Sequence, residues 1–134
     1  MQIAKHRKVL DSFALLAYLK MEDNFAKVKS VLGDRDSAII MNEINIGETY
    51  YILARERGLD KATYFAEIIL PGLPIKPVGN TFQDMLQAAR IKAENSLSFA
   101  DCFAVATAVR EEAIVITGDP EFKKVAHLVE IDWM

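Results

Sequence analysis

The sequence predicts an α/β protein, a three-layer α/β/α sandwich in which helices cover both faces of a short, mostly parallel central sheet. Short apolar segments alternate with helical segments along the whole chain, as strands and crossover helices do in such folds. Residues 113–117 form an apolar run ending in threonine, which is typical of a parallel strand covered on both faces. The 134 residues suit a single domain, 1–134, with a core of its own.

Local signals define each predicted element. Asn42 is a good helix-capping residue, and Gly33 and Gly58 mark helix ends. The predicted strands cover residues 8–10, 38–41, 75–78 and 113–117, with an edge strand at 127–131. The predicted helices cover residues 12–19, 21–32, 43–57, 59–70, 80–95 and 99–109, with a turn at 71–74 and a last helix starting at 118–122.

The composition excludes several classes of protein. A net charge of −3 argues against binding nucleic acid by charge alone. No uncharged apolar run is long enough to span a membrane. One cysteine and two histidines are too few for a zinc site of the usual kind. Cys102 lies in an apolar helical segment, which predicts a core residue and a protein of the reducing cytoplasm.

Residues 97–108 read Leu-Ser-Phe-Ala-Asp-Cys-Phe-Ala-Val-Ala-Thr-Ala and predict a buried helix that begins with an acid. Ser98 is a good N-cap, and Asp101 falls at the third helical position. The residues behind them are apolar on several sides, so the helix should pack against the sheet. We therefore expect the Asp101 carboxylate at the mouth of a buried element.

Three other acids occupy comparable positions. Asp11 ends the first predicted strand, and Asp119 follows the 113–117 strand by two residues. Ligands bind at the carboxyl ends of strands in open parallel sheets, so these acids should meet Asp101 at one rim. At 100° per residue, Glu48 shares a helix face with the apolar residues Ile44, Tyr51 and Ile52, which predicts that it points toward the core.

Each acid also has a purely structural interpretation. Asp101 would complete a capping box with Ser98, and Asp119 would cap a helix that begins at Pro120. Asp11 would cap the helix that follows it. Glu48 would pair with Arg55 two turns further on. These interpretations hold one by one, but they do not explain why four acids fall on one rim.

Four ionised carboxylates in one place repel each other, and a divalent cation would remove that conflict. Oxygen ligands without histidine or cysteine suit Mg²⁺ or Mn²⁺. Such a site is suited to hydrolysis of a phosphodiester bond, because the metal activates a water and neutralises charge on the phosphate. The sequence has no glycine-rich phosphate loop and no Gly-x-Ser-x-Gly motif.

The chain resembles the PIN-domain nucleases, and among them the VapC-type toxins of prokaryotic toxin–antitoxin pairs. The resemblance covers nearly the whole chain and rests on four motifs in order. These are Val-Leu-Asp-Ser at 9–12, Asn-Ile-Gly-Glu-Thr-Tyr-Tyr-Ile at 45–52, the 97–106 segment, and Ile-Thr-Gly-Asp-Pro-Glu-Phe at 116–122.

The resemblance implies a metal-dependent endoribonuclease with Mg²⁺ or Mn²⁺ as cofactor. Its metal ligands would be Asp11, Glu48, Asp101 and Asp119, supported by the hydroxyls of Ser98 and Thr117, with Glu43 and Glu121 as alternative acids. It also implies a homodimer, an RNA substrate, and a small antitoxin whose peptide blocks the cleft. The alternatives are a catalytically inactive PIN-like module that binds RNA or a protein, and a phospho-acceptor receiver domain. The receiver domain fits poorly because Asp11 has no acidic neighbour.

The predicted 43–57 helix supports a partner surface independently of the resemblance. Besides the face shared by Ile44 and Tyr51, it carries Ile46, Tyr50 and Leu53 on its other side. A helix that is apolar on both sides is either fully buried or forms part of an interface. The sequence alone favours the interface slightly.

Overall fold

Every strand of the central sheet runs parallel to its neighbours. In the computed structural model, which describes residues 6–134, the strands lie in the order β3-β2-β1-β4-β5. The first strand of the chain is thus the middle one, with Val9 beside Ile40 on one side and Val115 on the other. The strands are β1 (His6–Leu10), β2 (Ser37–Asn42), β3 (Ile75–Val78), β4 (Ile114–Thr117) and β5 (Ile131–Trp133).

Helices fill the connections between the strands. The long helix α3 begins directly after β2, where the Asn42 side chain accepts a hydrogen bond from the Ile44 N–H at 2.9 Å. The helices are α1 (Ser12–Leu19), α2 (Phe25–Leu32), α3 (Glu43–Arg57), α4 (Leu59–Tyr64), a π-helical segment (Phe65–Ile69), α5 (Leu70–Gly72), α6 (Phe82–Glu94), α7 (Phe99–Glu111) and a 3₁₀ helix (Pro120–Val125).

Two hydrophobic clusters, one on each face of the sheet, form the core. Because successive strand residues point to opposite faces, Val9 enters one cluster and Leu10 the other. The Val9 cluster contains α7 residues and Phe122, and the Leu10 cluster contains residues of α1, α2 and α3. This arrangement confirms the three-layer α/β/α fold, and the burial of Cys102 confirms that it is a core residue.

Four predicted boundaries were wrong. Residue 21 does not start a helix: Met21 has a positive φ of 52°, and α2 begins at Phe25. The helix predicted at 59–70 contains a π-helical segment and continues through Pro71 to Gly72. The last helix is only a 3₁₀ helix, and the edge strand lies at Ile131–Trp133 rather than at 127–131.

No helix within the described part of the chain, residues 6–134, is long and apolar enough to cross a lipid bilayer.

Candidate active site

A cleft of about 450 Å³ opens where β1 and β4 end, and four acids line it. Glu48 comes from α3, Asp101 from the first turn of α7, and Asp119 and Glu121 from the segment after β4. Ser12 and Ser98 lie among them, and Phe13, Leu16 and Ile52 complete the wall. The sheet thus brings acids from three parts of the chain to one rim.

Asp11 lies beside this cleft and is only 1% exposed. Its carboxylate caps α1 by accepting a hydrogen bond from the Ala14 N–H at 2.8 Å, and it accepts a second bond from the Thr117 hydroxyl at the end of β4. Burial raises the pKa of Asp11 from 3.8 to about 7, although these two hydrogen bonds lower it. The negative charges of Asp101 and Asp119 raise it further.

Asp101 carries the second carboxyl of the site whose pKa is shifted. Burial raises its pKa from 3.8 to about 6, the hydroxyl of Ser98 lowers it, and the charges of Asp119, Glu48 and Glu121 raise it. These mutual effects show that the acids lie within electrostatic range of one another. The protein alone therefore disfavours the charged forms of Asp11 and Asp101, and a bound cation would favour them.

Glu48 reaches the cleft in a way that the sequence did not predict. Its helix buries Asn45, Thr49 and Leu53, whereas Ile44 and Tyr51 are 42% and 44% exposed. The predicted core face of α3 was therefore wrong. Glu48 is half-buried, at the edge of the face that Asn45 and Thr49 bury. Its carboxylate accepts a hydrogen bond from the Ser12 hydroxyl.

The ion pair expected between Glu48 and Arg55 does not form. The Arg55 guanidinium lies 5.0 Å from the ring centre of Tyr51 instead. Ser12 is a site residue that sequence reasoning missed, because it was interpreted only as the start of a helix. Its position next to Asp11 was the available signal.

Three hydrogen bonds hold the elements that carry Glu48 and Asp101. The Asn45 side chain, which is fully buried, donates a hydrogen bond from Nδ2 to the Ala100 carbonyl at 2.9 Å and so fixes α3 against the first turn of α7. Lys92 and Lys124 donate hydrogen bonds to the carbonyls of Leu97 and Ser96, in the loop before α7. Sequence reasoning missed these roles, since each contact joins residues of different elements.

The remaining predicted residues differ in position. Glu121 lines the cleft and forms an ion pair with Lys124. Glu43 lies away from the cleft, on a separate groove beside Gly79 and Phe82. Thr117 contacts Asp11 and also accepts a hydrogen bond from the Asp119 N–H at 3.0 Å, so it links two acids.

The capping interpretation is correct for two acids that also meet at the rim, Asp11 and Asp119. The capping box predicted for Asp101 is not completed, because the Asp101 carboxylate accepts no hydrogen bond from the Ser98 N–H. Asp11 caps α1, and Asp119 caps the 3₁₀ helix by accepting a hydrogen bond from the Glu121 N–H at 3.0 Å. Ser98 caps α7 by accepting from the Asp101 N–H at 3.2 Å. The cap and the shared site are therefore compatible, because the helices begin where the strands end.

The chemistry of these side chains fits Mg²⁺ or Mn²⁺. Every polar side chain that lines the cleft presents carboxylate or hydroxyl oxygens, the donors that these ions prefer. Among residues 6–134, no three acidic, histidine or cysteine side chains already stand in metal-binding positions. Asp11 and Glu48 instead accept hydrogen bonds from Thr117 and Ser12, which a bound ion would have to displace or share.

Comparison with known proteins decides the family. The family model described as PIN domain matches residues 8–128. The chain belongs to the PIN domain family. A search of curated protein sequences gives no significant match.

Solved structures share the fold of this PIN domain at low sequence identity. VapC20 from Mycobacterium tuberculosis, described as a sarcin–ricin loop cleaving toxin, is 19% identical with a TM-score of 0.74, covering 92% of this chain and 97% of that one. VapBC2 from Rickettsia felis, bound to a promoter DNA fragment, is 13% identical with a TM-score of 0.72, covering 96% and 98%. A toxin–antitoxin complex from Klebsiella pneumoniae is 13% identical with a TM-score of 0.69, covering 93% and 95%.

The raised pKa of Asp11 predicts how the stability of this PIN domain depends on pH. The unfolded chain loses this proton near pH 4 and the folded chain near pH 7, so the stabilisation by the neutral carboxyl is complete below pH 4 and is lost as pH rises through 7. We expect Asp11→Asn to raise the melting temperature of the metal-free protein at pH 8. The corresponding gain in the free energy of unfolding is at most about 4 kcal/mol. Near pH 4 the substitution should have little effect.

Thermal unfolding followed by circular dichroism from pH 4 to 8, with EDTA present, measures this difference. Asp34→Asn is the control with the opposite sign. The Asp36 N–H and the Ser37 hydroxyl lower the pKa of Asp34, so its variant should lose stability at neutral pH. Parallel pH profiles for Asp11→Asn and the wild type would contradict the prediction.

Proposed function

We propose that this PIN domain is an endoribonuclease that hydrolyses RNA phosphodiester bonds with Mg²⁺ or Mn²⁺. The observation that carries the proposal is the cleft in which Glu48, Asp101 and Asp119 lie beside the buried Asp11. Two of these carboxyls have raised pKa values because burial and their neighbours disfavour the charged form. The family match and the toxins among the similar structures support the same conclusion.

Asp11, Glu48, Asp101 and Asp119 are the proposed ligands, and Glu121 is a further acid at the same wall. When bound, the metal would supply an activated water and positive charge at the phosphate. The hydroxyls of Ser12 and Thr117 orient the carboxylates of Glu48 and Asp11 by hydrogen bonding. Ser98 fixes the first turn of α7, and with it Asp101.

A binding module without catalytic activity is the second candidate. It is favoured by one observation, that within residues 6–134 the acids do not already stand in metal-binding positions. The nuclease and the binding module differ in whether the acids bind an added metal ion.

Titration with Mn²⁺ and an RNA cleavage assay separate these two functions. We expect wild-type protein to bind Mn²⁺ in a calorimeter, and Asp11→Asn and Asp101→Asn to bind it at least about tenfold more weakly, because each removes a ligand. Asp101→Asn should also reduce Mg²⁺-dependent cleavage of RNA by at least about a hundredfold while RNA binding remains.

Asp34→Asn serves as the matched control, because Asp34 lies in a turn away from the cleft. It should bind Mn²⁺ and cleave RNA like the wild type. Wild-type protein that binds RNA but neither Mn²⁺ nor Mg²⁺ would reject the nuclease and leave the binding module.

We further propose that the protein is the toxin of a toxin–antitoxin pair and acts in the cytoplasm. Three of the similar structures carry the names VapBC2, VapC20 and toxin–antitoxin complex, and they match over nearly their full length. A negatively charged cleft of this kind would be blocked by a peptide that carries a basic side chain, since that side chain would pair with the acids.

Expression in a bacterial host tests the toxin role. The wild type alone should arrest growth because it cuts cellular RNA, and co-expression of the small protein encoded beside it should restore growth. Asp101→Asn should not arrest growth at the same protein level, measured by immunoblot. Equal growth with the wild type and Asp101→Asn, in the absence of the antitoxin, would contradict the role.

A homodimer is the third part of the proposal, and an apolar face on α3, α6 and α7 supports it. Phe82 is 68% exposed, and Leu86, one turn further along α6, is 43% exposed. Ile44 lies on the same groove as Phe82, and the exposed Phe99 packs on Phe103 in that groove, with ring centres 5.0 Å apart. An exposed apolar patch of this kind marks an interaction surface.

A charge placed on this face should prevent dimer formation. We expect wild-type protein to sediment as a dimer and Leu86→Glu as a monomer with unchanged circular dichroism, because the carboxylate would lose its water in the interface. Ile68→Glu, at a more exposed site on the π-helical segment, should remain a dimer. A monomeric wild type at all concentrations would exclude the dimer.

A further inference from the structure

The side chains that line the cleft are of two kinds. Four are acids, Glu48, Asp101, Asp119 and Glu121, and three are apolar, Phe13, Leu16 and Ile52, which are called the apolar wall below. Among the described residues, no lysine, arginine or histidine lines the cleft. A polyanionic substrate therefore has no positive side chain to bind inside it, and the apolar wall is what remains to hold the organic part of that substrate.

The ring of Phe13 is the aromatic group of this wall, and it is fixed from one side. A Cβ atom placed on Gly118 would lie 2.5 Å from Cε1 of the ring and 3.1 Å from Cζ. The ring therefore lies directly against the Gly118 backbone, in the loop between Thr117 and Asp119. Only a residue without a side chain allows this approach.

The same ring stays open on the cleft side. Phe13 is 38% exposed, although it lies two residues after the fully buried Asp11 and next to Ser12. Exposure of an aromatic ring beside carboxylates has no structural benefit, because the ring loses both burial and apolar neighbours. A planar, partly apolar ligand group would cover it.

From this geometry we propose that Phe13, supported by Gly118, is the stacking platform for an unpaired RNA base next to the cleaved phosphate. The inference rests on the proposed nuclease function. Like the lining of the cleft, a nucleotide has a charged part, the phosphate, and a flat, partly apolar part, the base. Aromatic side chains bind unpaired bases by stacking, which is independent of charge and of base identity.

Phe13 thereby determines specificity for unpaired over paired RNA. A base in a duplex is stacked on its neighbours and hydrogen-bonded to its partner, so its face is not free to cover the ring. The first turn of α1 holds Asp11, Ser12 and Phe13 together, which fixes the ring relative to the acids. Loops, bulges and strand ends are the RNA segments that can enter.

The test measures RNA binding without cleavage. In an Asp101→Asn background, fluorescence anisotropy compares a short single-stranded RNA with the same RNA in a duplex. Phe13→Ala should weaken binding of the single strand by about fivefold or more and leave the weak duplex binding unchanged. Phe13→Trp should preserve binding, because the indole also stacks.

Two variants distinguish the platform from a general loss of surface. Gly118→Ala keeps the phenyl ring, but the added methyl group displaces it from its position against residue 118. It should therefore weaken single-strand binding, as Phe13→Ala does. Tyr64→Ala removes a more exposed aromatic ring outside the cleft and should have no effect. Circular dichroism melts verify that each variant folds.

The outcomes separate this inference from the proposed function. Equal single-strand binding by the Asp101→Asn protein with and without the Phe13 ring, together with wild-type cleavage by Phe13→Ala alone, would overturn the platform and leave the nuclease intact. Duplex binding as tight as single-strand binding would also overturn it. A wild type that cleaves no RNA and binds no Mn²⁺ would instead reject the nuclease itself.

Discussion

The carboxylate of Asp11 is buried at the end of the central strand, and the groups around it compensate for the cost of that burial. An unpaired carboxylate in such a place is costly, so the protein surrounds it with donors. One donor is the backbone at the start of α1, and the other is the hydroxyl of Thr117 on the neighbouring strand. The same burial keeps the pKa of this acid well above its ordinary value.

Helix starts serve two purposes in this fold. In a parallel sheet each helix begins near the end of a strand, so capping residues gather at one rim. Asp11 and Asp119 satisfy backbone N–H groups at their own helices and still face the cleft region. A capping residue in this fold can therefore also lie at the candidate site, so a cap in the sequence is not evidence against a site.

Local signals made most of the fold predictable, and non-local contacts account for what was missed. The positions of the first four strands and the caps at Asn42 and Ser98 depend on neighbours in the sequence, and they were correct, whereas the edge strand was misplaced. The buried face of α3 was wrong because it carries polar residues, Asn45 and Thr49, whose hydrogen bonds end on other backbone groups. The contact of Phe13 with Gly118 joins residues more than a hundred positions apart, and periodicity contains no information about it.

The position of β1 in the middle of the sheet has a consequence during synthesis. Its partner β4 and the hydroxyl of Thr117 lie at the other end of the chain, 106 residues from Asp11. Chains are made and begin to fold from the N-terminus, and contacts between distant residues form late. A nascent chain that lacks the last strands contains Asp11 and Glu48 but neither Thr117 nor Asp119. The buried Asp11 carboxylate therefore obtains its hydrogen bond from Thr117 only after β4 has been synthesised.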